Sequence, residues 1–98
     1  MIDTFAMEWN LKQQRVEVIC FDNHKVVGKA ANSTRLAALM IKHGTVEDIA
    51  DIRPIWRNLY KNEHVLTFDA IVAEAIQRVQ KLDICKAQLF PGETLEVY

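Results

Sequence analysis

The sequence predicts an α+β fold in which an antiparallel sheet carries three to four helices on one face. An N-terminal three-strand meander and a candidate C-terminal hairpin would supply the strands. Three observations predict this fold: apolar and polar residues alternate up to residue 30, apolar residues recur at three- and four-residue spacing from 67 to 82, and two short apolar runs flank Pro91-Gly92. The length of 98 residues fits a single domain, residues 1–98.

Three runs of alternating residues predict the strands of the meander. FAMEWNL begins at Phe5, RVEVICF begins at Arg15, and KVVGKA begins at Lys25 with Gly28 as a candidate bulge. DNHK, residues 22–25, is typical of a hairpin turn because Asp and Asn tolerate a left-handed backbone. Ile19 and Phe21 are apolar on the second face of their strand, so we expect cover on both sides there.

Capping signals predict the helices. Asn32, Ser33 and Thr34 compete as the N-cap of a helix that Gly44 closes. TVED, residues 45–48, has the form of a capping box and predicts a second helix, which Pro54 breaks before a third begins. Thr67 is the predicted N-cap of the most regular helix, which runs to Leu82. ICKAQLF and ETLEVY around Pro91-Gly92 are then two short strands.

Composition indicates an ordinary globular protein. Charged residues make up 26% of the chain and the formal net charge is −1. No apolar run is long enough to cross a bilayer, and residues 1–10 lack the features of a secretory signal, so we expect a cytoplasmic protein without a membrane partner. We expect Cys20 and Cys85 to be buried free thiols in apolar surroundings; a disulfide between them is the alternative.

The motifs of common active sites are missing from the sequence. The three glycines stand far apart, which excludes a phosphate-binding loop, and Ser33 has no flanking glycines. The spacing of Cys20 and His24 gives little support to a metal site or to a nucleophilic pair built on these two residues. We expect the carboxylates at 47, 48 and 51 to stabilise a helix N-terminus and those at 93 and 96 to lie on the surface. We therefore predict no catalytic residues, no metal and no cofactor, and a protein that is not an enzyme.

One stretch, RPIWRNLYKNEH at 53–64, concentrates basic and aromatic side chains. On a helix starting near residue 53, Ile55 and Leu59 share the core stripe, whereas the basic and aromatic residues fall on another face. The candidate binding residues are Arg53, Trp56, Arg57, Tyr60, Lys61 and His64. Two interpretations remain open: the aromatic rings lie over the rim of the core under arginine stems, or they form an exposed binding hot spot.

The predicted partner is another protein or a second copy of the chain, bound by a small inhibitor, antidote or adaptor. The alternative is nucleic acid, for which Lys12, Arg15, Lys25, Lys29 and Arg35 could extend the basic face. The net charge disfavours that alternative, and so do the acids of the segment around Gly44 that superficially resembles a helix-turn-helix. An enzyme with an undetected site ranks third. The free edge of ETLEVY is a second possible route to a partner.

Overall fold

The structure is a computed structural model that describes residues 1–53 and 60–87, with side chains described as far as Leu82. Its elements are β1 (Ile2–Asn10), β2 (Arg15–Asp22), β3 (Lys25–Ala30), α1 (Ser33–His43), β4 (Thr45–Ile52) and α2 (Asn62–Ala87). The four strands form one sheet in the order β3-β2-β1-β4. The α+β class is therefore confirmed.

The three N-terminal strands form the predicted antiparallel meander. Phe5 lies opposite Cys20 and Met7 opposite Val18, so these side chains share one face of the sheet. The turn between β2 and β3 contains only Asn23 and His24, whose φ angles are 49° and 68°. Two consecutive left-handed residues match the twist of a tight hairpin, which confirms the predicted turn at residues 22–25.

The core lies between this face of the sheet and the two helices. Its fully buried large side chains come from both layers and include Phe5, Val18, Leu36 and Phe68. Each such side chain, removed from water, contributes roughly 1.5–3 kcal/mol to the hydrophobic driving force. Because a single cluster spans sheet and helices, the described residues form one packed unit.

Helix α1 rests on the sheet at Gly28. Between the pairs Cys20–Gly28 and Phe21–Val26 the β2–β3 register shifts, which leaves Val27 as the extra residue of a bulge next to the predicted position. A Cβ atom added at Gly28 would lie 2.7 Å from Leu39 Cδ2, much closer than van der Waals contact allows. The missing side chain therefore lets the helix approach the strand closely.

The ends of α1 carry the predicted caps. Asn32 is the N-cap among the three candidates, and its Oδ1 accepts the backbone N–H of Arg35 at 2.8 Å. Gly44 ends the helix with φ 73°, and its N–H donates to Met40 O at 2.8 Å. Lys42 and His43 occupy the last turn, where the helix dipole favours positive charge.

The predicted second helix from Thr45 is wrong, because residues 45–52 form strand β4. This strand runs parallel to β1, with Thr4 opposite Ala50 and Ala6 opposite Ile52. Four of its eight residues are β-branched, and Pro54 would have limited a helix here to about two turns. Without β4, β1 would be an edge strand with unpaired backbone N–H and C=O groups, and pairing with β4 satisfies them. This tertiary pairing outweighs the local capping signal.

Helix α2 is longer than predicted at both ends. It begins at Asn62, and Thr67 lies inside it, where its hydroxyl donates to Glu63 O at 2.8 Å. Residues 84–87, predicted to start a strand, belong to this helix, which has 26 residues and is about 39 Å long.

These differences correct the predicted architecture. The sheet is mixed rather than purely antiparallel, and the described residues contain two helices rather than three to four. Most of the predicted helix after Pro54, residues 54–59, and the hairpin around Pro91-Gly92 lie outside the described residues. Neither described helix combines the length and the apolar content that a membrane crossing requires.

Replacing Gly28 by Ala should lower the free energy of unfolding by about 1–2 kcal/mol, because the new methyl group overlaps Leu39 in a packed interface. Leu39→Ala alone should cost about 2–5 kcal/mol by leaving a cavity. Urea unfolding of both single variants and the double variant gives the coupling energy. We expect the double variant to lose less than the two single losses added together; strict additivity would contradict the close contact.

Asn32→Ala should lower the free energy of unfolding by about 1 kcal/mol, because the backbone N–H of Arg35 loses its acceptor. Thr34→Ala is the matched control: Thr34 is also polar, exposed and near the helix start, yet it makes no capping bond there. Its effect should stay within about 0.5 kcal/mol. Equal losses for the two variants, measured by chemical unfolding, would argue against Asn32 as the N-cap.

Candidate functional site

The described members of the predicted site lie at three different places along the chain. Arg53 directly follows β4, Tyr60 and Lys61 precede α2, and His64 lies in the first turn of α2. Trp56 and Arg57 lie outside the described residues. Tyr60 and His64 contact β1, Lys61 is joined to His64 through its backbone N–H, and Arg53 has a separate set of contacts.

Arg53 is held by two carboxylates. Its Nη2 donates to Asp51 Oδ2 at 3.0 Å and also contacts Asp69 Oδ1, so the guanidinium joins the end of β4 to α2. The same group lies 5.7 Å from the centroid of the Phe68 ring, within the range of a cation–π interaction. These contacts give Arg53 a structural role in joining strand to helix.

The pKa of Asp51 is raised from its ordinary value. Partial burial is the largest cause, and the negative charge of Asp69 adds to it, while Arg53 acts in the opposite direction. Folding therefore disfavours the ionised form of Asp51 despite its ion pair. Because Arg53 contacts both acids, it offsets the repulsion between Asp51 on β4 and Asp69 on α2.

Stacked aromatic rings lie where α2 begins. The rings of Trp9 and His64 are 4.0 Å apart between centroids and inclined by only 16°. His64 Nδ1 accepts the backbone N–H of Lys61 at 3.2 Å, in the manner of a capping residue three positions into a helix. The Tyr60 hydroxyl donates to Met7 O at 3.4 Å. Trp9, Tyr60, Lys61 and His64 together are named the aromatic surface.

The aromatic surface is partly exposed and also borders the core. Lys61 is exposed, while Trp9, Tyr60 and His64 are intermediate in exposure. Trp9 and Tyr60 pack against the buried cluster as well. The packing of Trp9 and Tyr60 against the core agrees with the core-rim interpretation, and the partial exposure of the rings agrees with the binding hot spot. The sequence placed Trp9 correctly on the face of Phe5 and Met7, but its contact with His64 joins residues too distant for any local pattern to indicate.

Several cations considered for nucleic-acid binding are already paired with acids. Lys29 Nζ lies 3.1 Å from Glu8 Oε2, and Arg15 Nε lies 3.3 Å from Glu17 Oε1. With Arg53 they make three basic groups whose charge is largely balanced within the fold. Each pair lowers the positive potential that a phosphate backbone would meet.

Cys20 is a fully buried free thiol facing the core. Burial raises the pKa of the Cys20 thiol to about 11, so the reactive thiolate is scarce at neutral pH. His24 lies in the exposed hairpin turn. Among residues 1–53 and 60–87, no group of three or more His, Cys, Asp or Glu side chains is arranged to hold a metal ion. A contact between Cys20 and Cys85 lies outside the described side chains.

The second face of the sheet carries apolar side chains. Ile19 and Phe21, for which we expected cover on both sides, are of intermediate exposure, and Ile52 beside them is 55% exposed. Ala6, Phe21 and Ile52 contribute to a shallow cavity of about 270 Å³ that His24 and Asp3 border.

Comparison with protein-family models, with curated proteins and with solved structures finds no match to this chain. A functional proposal therefore depends on the geometry and the charges of the chain itself.

Arg53→Ala should lower the free energy of unfolding at neutral pH by roughly 0.5–1 kcal/mol, a modest value because the ion pairs are exposed. The cost of ionising Asp51 in the folded state builds up as pH rises above its ordinary pKa of 3.8 and is complete above its raised pKa. Acidification relieves this cost, so the deficit of Arg53→Ala should shrink as Asp51 becomes protonated. Urea unfolding at several pH values measures the deficit.

Asp69→Asn supplies the control for this prediction. In that background the repulsion on Asp51 is weaker, so the loss caused by Arg53→Ala should be smaller at neutral pH. A deficit that is independent of pH and unchanged in the Asp69→Asn background would show that Arg53 does not act by balancing these acids.

Proposed function

We propose that this chain is a small non-catalytic protein-binding module, an inhibitor, antidote, adaptor or self-associating protein, whose contact surface is the aromatic surface. Trp and Tyr dominate binding energies when they cluster with basic groups, and this surface adds His64 and exposed Lys61 to them. The partner would be another protein or a second copy of the chain.

The observation that carries the proposal is the stack of Trp9 on His64. Both rings are partly exposed, and each is fixed by an interaction inside the fold: Trp9 by packing against the core and His64 by its bond to the Lys61 backbone. A partner that covered them would not have to restrict mobile rings. Rings ordered in advance lower the entropic cost of association.

The charges support a protein partner over nucleic acid. Arg15, Lys29 and Arg53 each have an acidic neighbour within the fold, which reduces the number of cations ready for phosphates. Stacking of bases would also require aromatic faces, and one face of Trp9 is already covered by His64. Retention on heparin with a steep dependence of affinity on salt would overturn this preference.

A variant that removes binding groups and spares the fold tests the proposal. Lys61→Ala with His64→Gln removes the exposed cation and the stacked imidazole, while glutamine keeps an acceptor for the Lys61 N–H at the same helical position. The matched control is Lys25→Ala with His43→Gln, which changes the same residue types on β3 and at the end of α1. Thermal unfolding should show both variants folded.

Binding is then measured on a defined partner. Affinity purification from the host with mass spectrometry identifies the partner, and titration with that purified protein gives the dissociation constant; sedimentation measures self-association. We expect the Lys61/His64 variant to bind at least about 30-fold more weakly, as hot-spot residues do, and the control to bind as the unmodified chain does. Equal affinity of the two variants would place the contact surface elsewhere and leave the rings as core rim.

A further inference from the structure

An apolar groove lies between α1 and α2, away from the aromatic surface. It encloses about 1090 Å³, and its apolar lining comes from both helices: Ala37, Ala38 and Ile41 on one side, and Ala70, Ala73 and Leu82 on the other. Ile41 is 52% exposed, a large fraction for an aliphatic residue that faces a groove. The volume is ample for several side chains of a polypeptide segment.

The rim of the groove carries a positive surplus. Among the side chains that the structure describes, Lys42, Arg78 and Lys81 line it together with one acid, Glu74. Glu74 Oε1 already accepts Arg78 Nη2 at 3.1 Å, so the two lysines keep the excess charge. An occupant with acidic residues would be attracted to this rim. A second copy, placed groove to groove, would instead bring these lysines against themselves, which disfavours self-association here.

Residues 88–98 of this chain have the composition that the groove requires. The segment QLFPGETLEVY contains five large apolar residues, two glutamates and no Lys or Arg, which gives it a charge of −2. On an extended backbone Leu95 and Val97 share one side with Glu93 at its start, while Glu96 falls on the other side.

The segment also begins at the right place and is long enough. It follows Ala87, five residues beyond Leu82, or about 7.5 Å farther along the helix axis. Residues 93–98 span up to roughly 20 Å when extended, enough to return from a turn at residues 91–92 to the level of Leu82. A reversal at Pro91-Gly92, a sequence that favours turns, would direct residues 93–98 back toward Arg78 and Gln77.

We propose that the groove between α1 and α2 is the docking site of the chain's own residues 88–98, which place Leu95 and Val97 against Ile41 and Leu82 and their glutamates beside Lys42 and Lys81. The inference is independent of the aromatic surface, since it uses different residues and a different part of α2. Docking of an acidic apolar segment would cover alanine and isoleucine surface that the described fold leaves open to solvent.

A spin label on the full chain tests the proposal. The label is attached at Thr94→Cys in a chain with Cys85→Ser; Cys20 stays unlabelled because its thiol is buried. We expect the label to broaden the NMR methyl signals of Ala38, Ile41 and Ala73. The signals of Ala6 and Ile19 should stay sharp, since they lie on the opposite face of the sheet. A sample that mixes spin-labelled chains with isotope-labelled chains separates contacts within one molecule from contacts between two.

Charge reversal supplies the second measurement. Lys42→Glu with Lys81→Glu should lower the ratio of molecules with residues 88–98 docked to molecules with this segment undocked roughly tenfold. The reason is that two exposed ionic attractions become repulsions. The control Lys12→Glu with Lys25→Glu makes the same change in net charge on the β1–β2 turn and β3 and should leave the broadening intact. Absence of broadening at the groove, broadening that appears only between molecules, or equal effects of both variants would each overturn the proposal.

Discussion

Parallel pairing of β4 with β1 is the constraint on which the rest of the fold depends. Antiparallel neighbours can be joined by turns as short as Asn23-His24, but two parallel strands need a crossover. Strands β3 and β4 lie at opposite edges of the sheet, so α1 must cross β2 and β1 on one face to connect them. That crossing brings Leu39 onto Gly28, where a side chain would keep the helix away from the sheet. Helix α2 then covers the remainder of the same face.

The aromatic surface is a consequence of how α2 returns to the sheet. The chain leaves β4 at Arg53, whose guanidinium joins Asp51 on the strand to Asp69 on the helix. The start of α2 is fixed at the other end of this region, where Tyr60 bonds to Met7 O and His64 stacks on Trp9. Contacts that position the helix thus also expose a set of ordered rings. Structural support and binding competence are compatible here because each ring has one face or edge in the fold and another toward solvent.

The elements that the sequence predicted well are those whose signals are local. The β2–β3 turn, the Asn32 cap and the Gly44 terminus each depend on residues within four positions. The sequence predicts a helix where β4 forms because Thr45 and Asp48 have the form of a capping box, while the strand that pairs with this segment, β1, lies more than forty residues earlier. The Trp9–His64 stack escaped prediction for the same reason. The choice of basic and aromatic residues in 53–64 was local, whereas the contacts that bring Tyr60 and His64 to β1 are not.

The two proposed surfaces can be tested separately because charge changes at one are screened from the other. His64 and Lys81 lie on the same helix, 17 residues and therefore about 25 Å apart along its axis. The Debye length at physiological ionic strength is about 8 Å, so exposed charges at this separation interact weakly. The driving forces also differ: ordered aromatic rings on one surface, apolar burial with ionic attraction at the other. A loss of partner binding in a groove variant would therefore mean that the groove itself contacts the partner or is coupled to the aromatic surface, because the substituted charges are too far away to act on that surface through solvent.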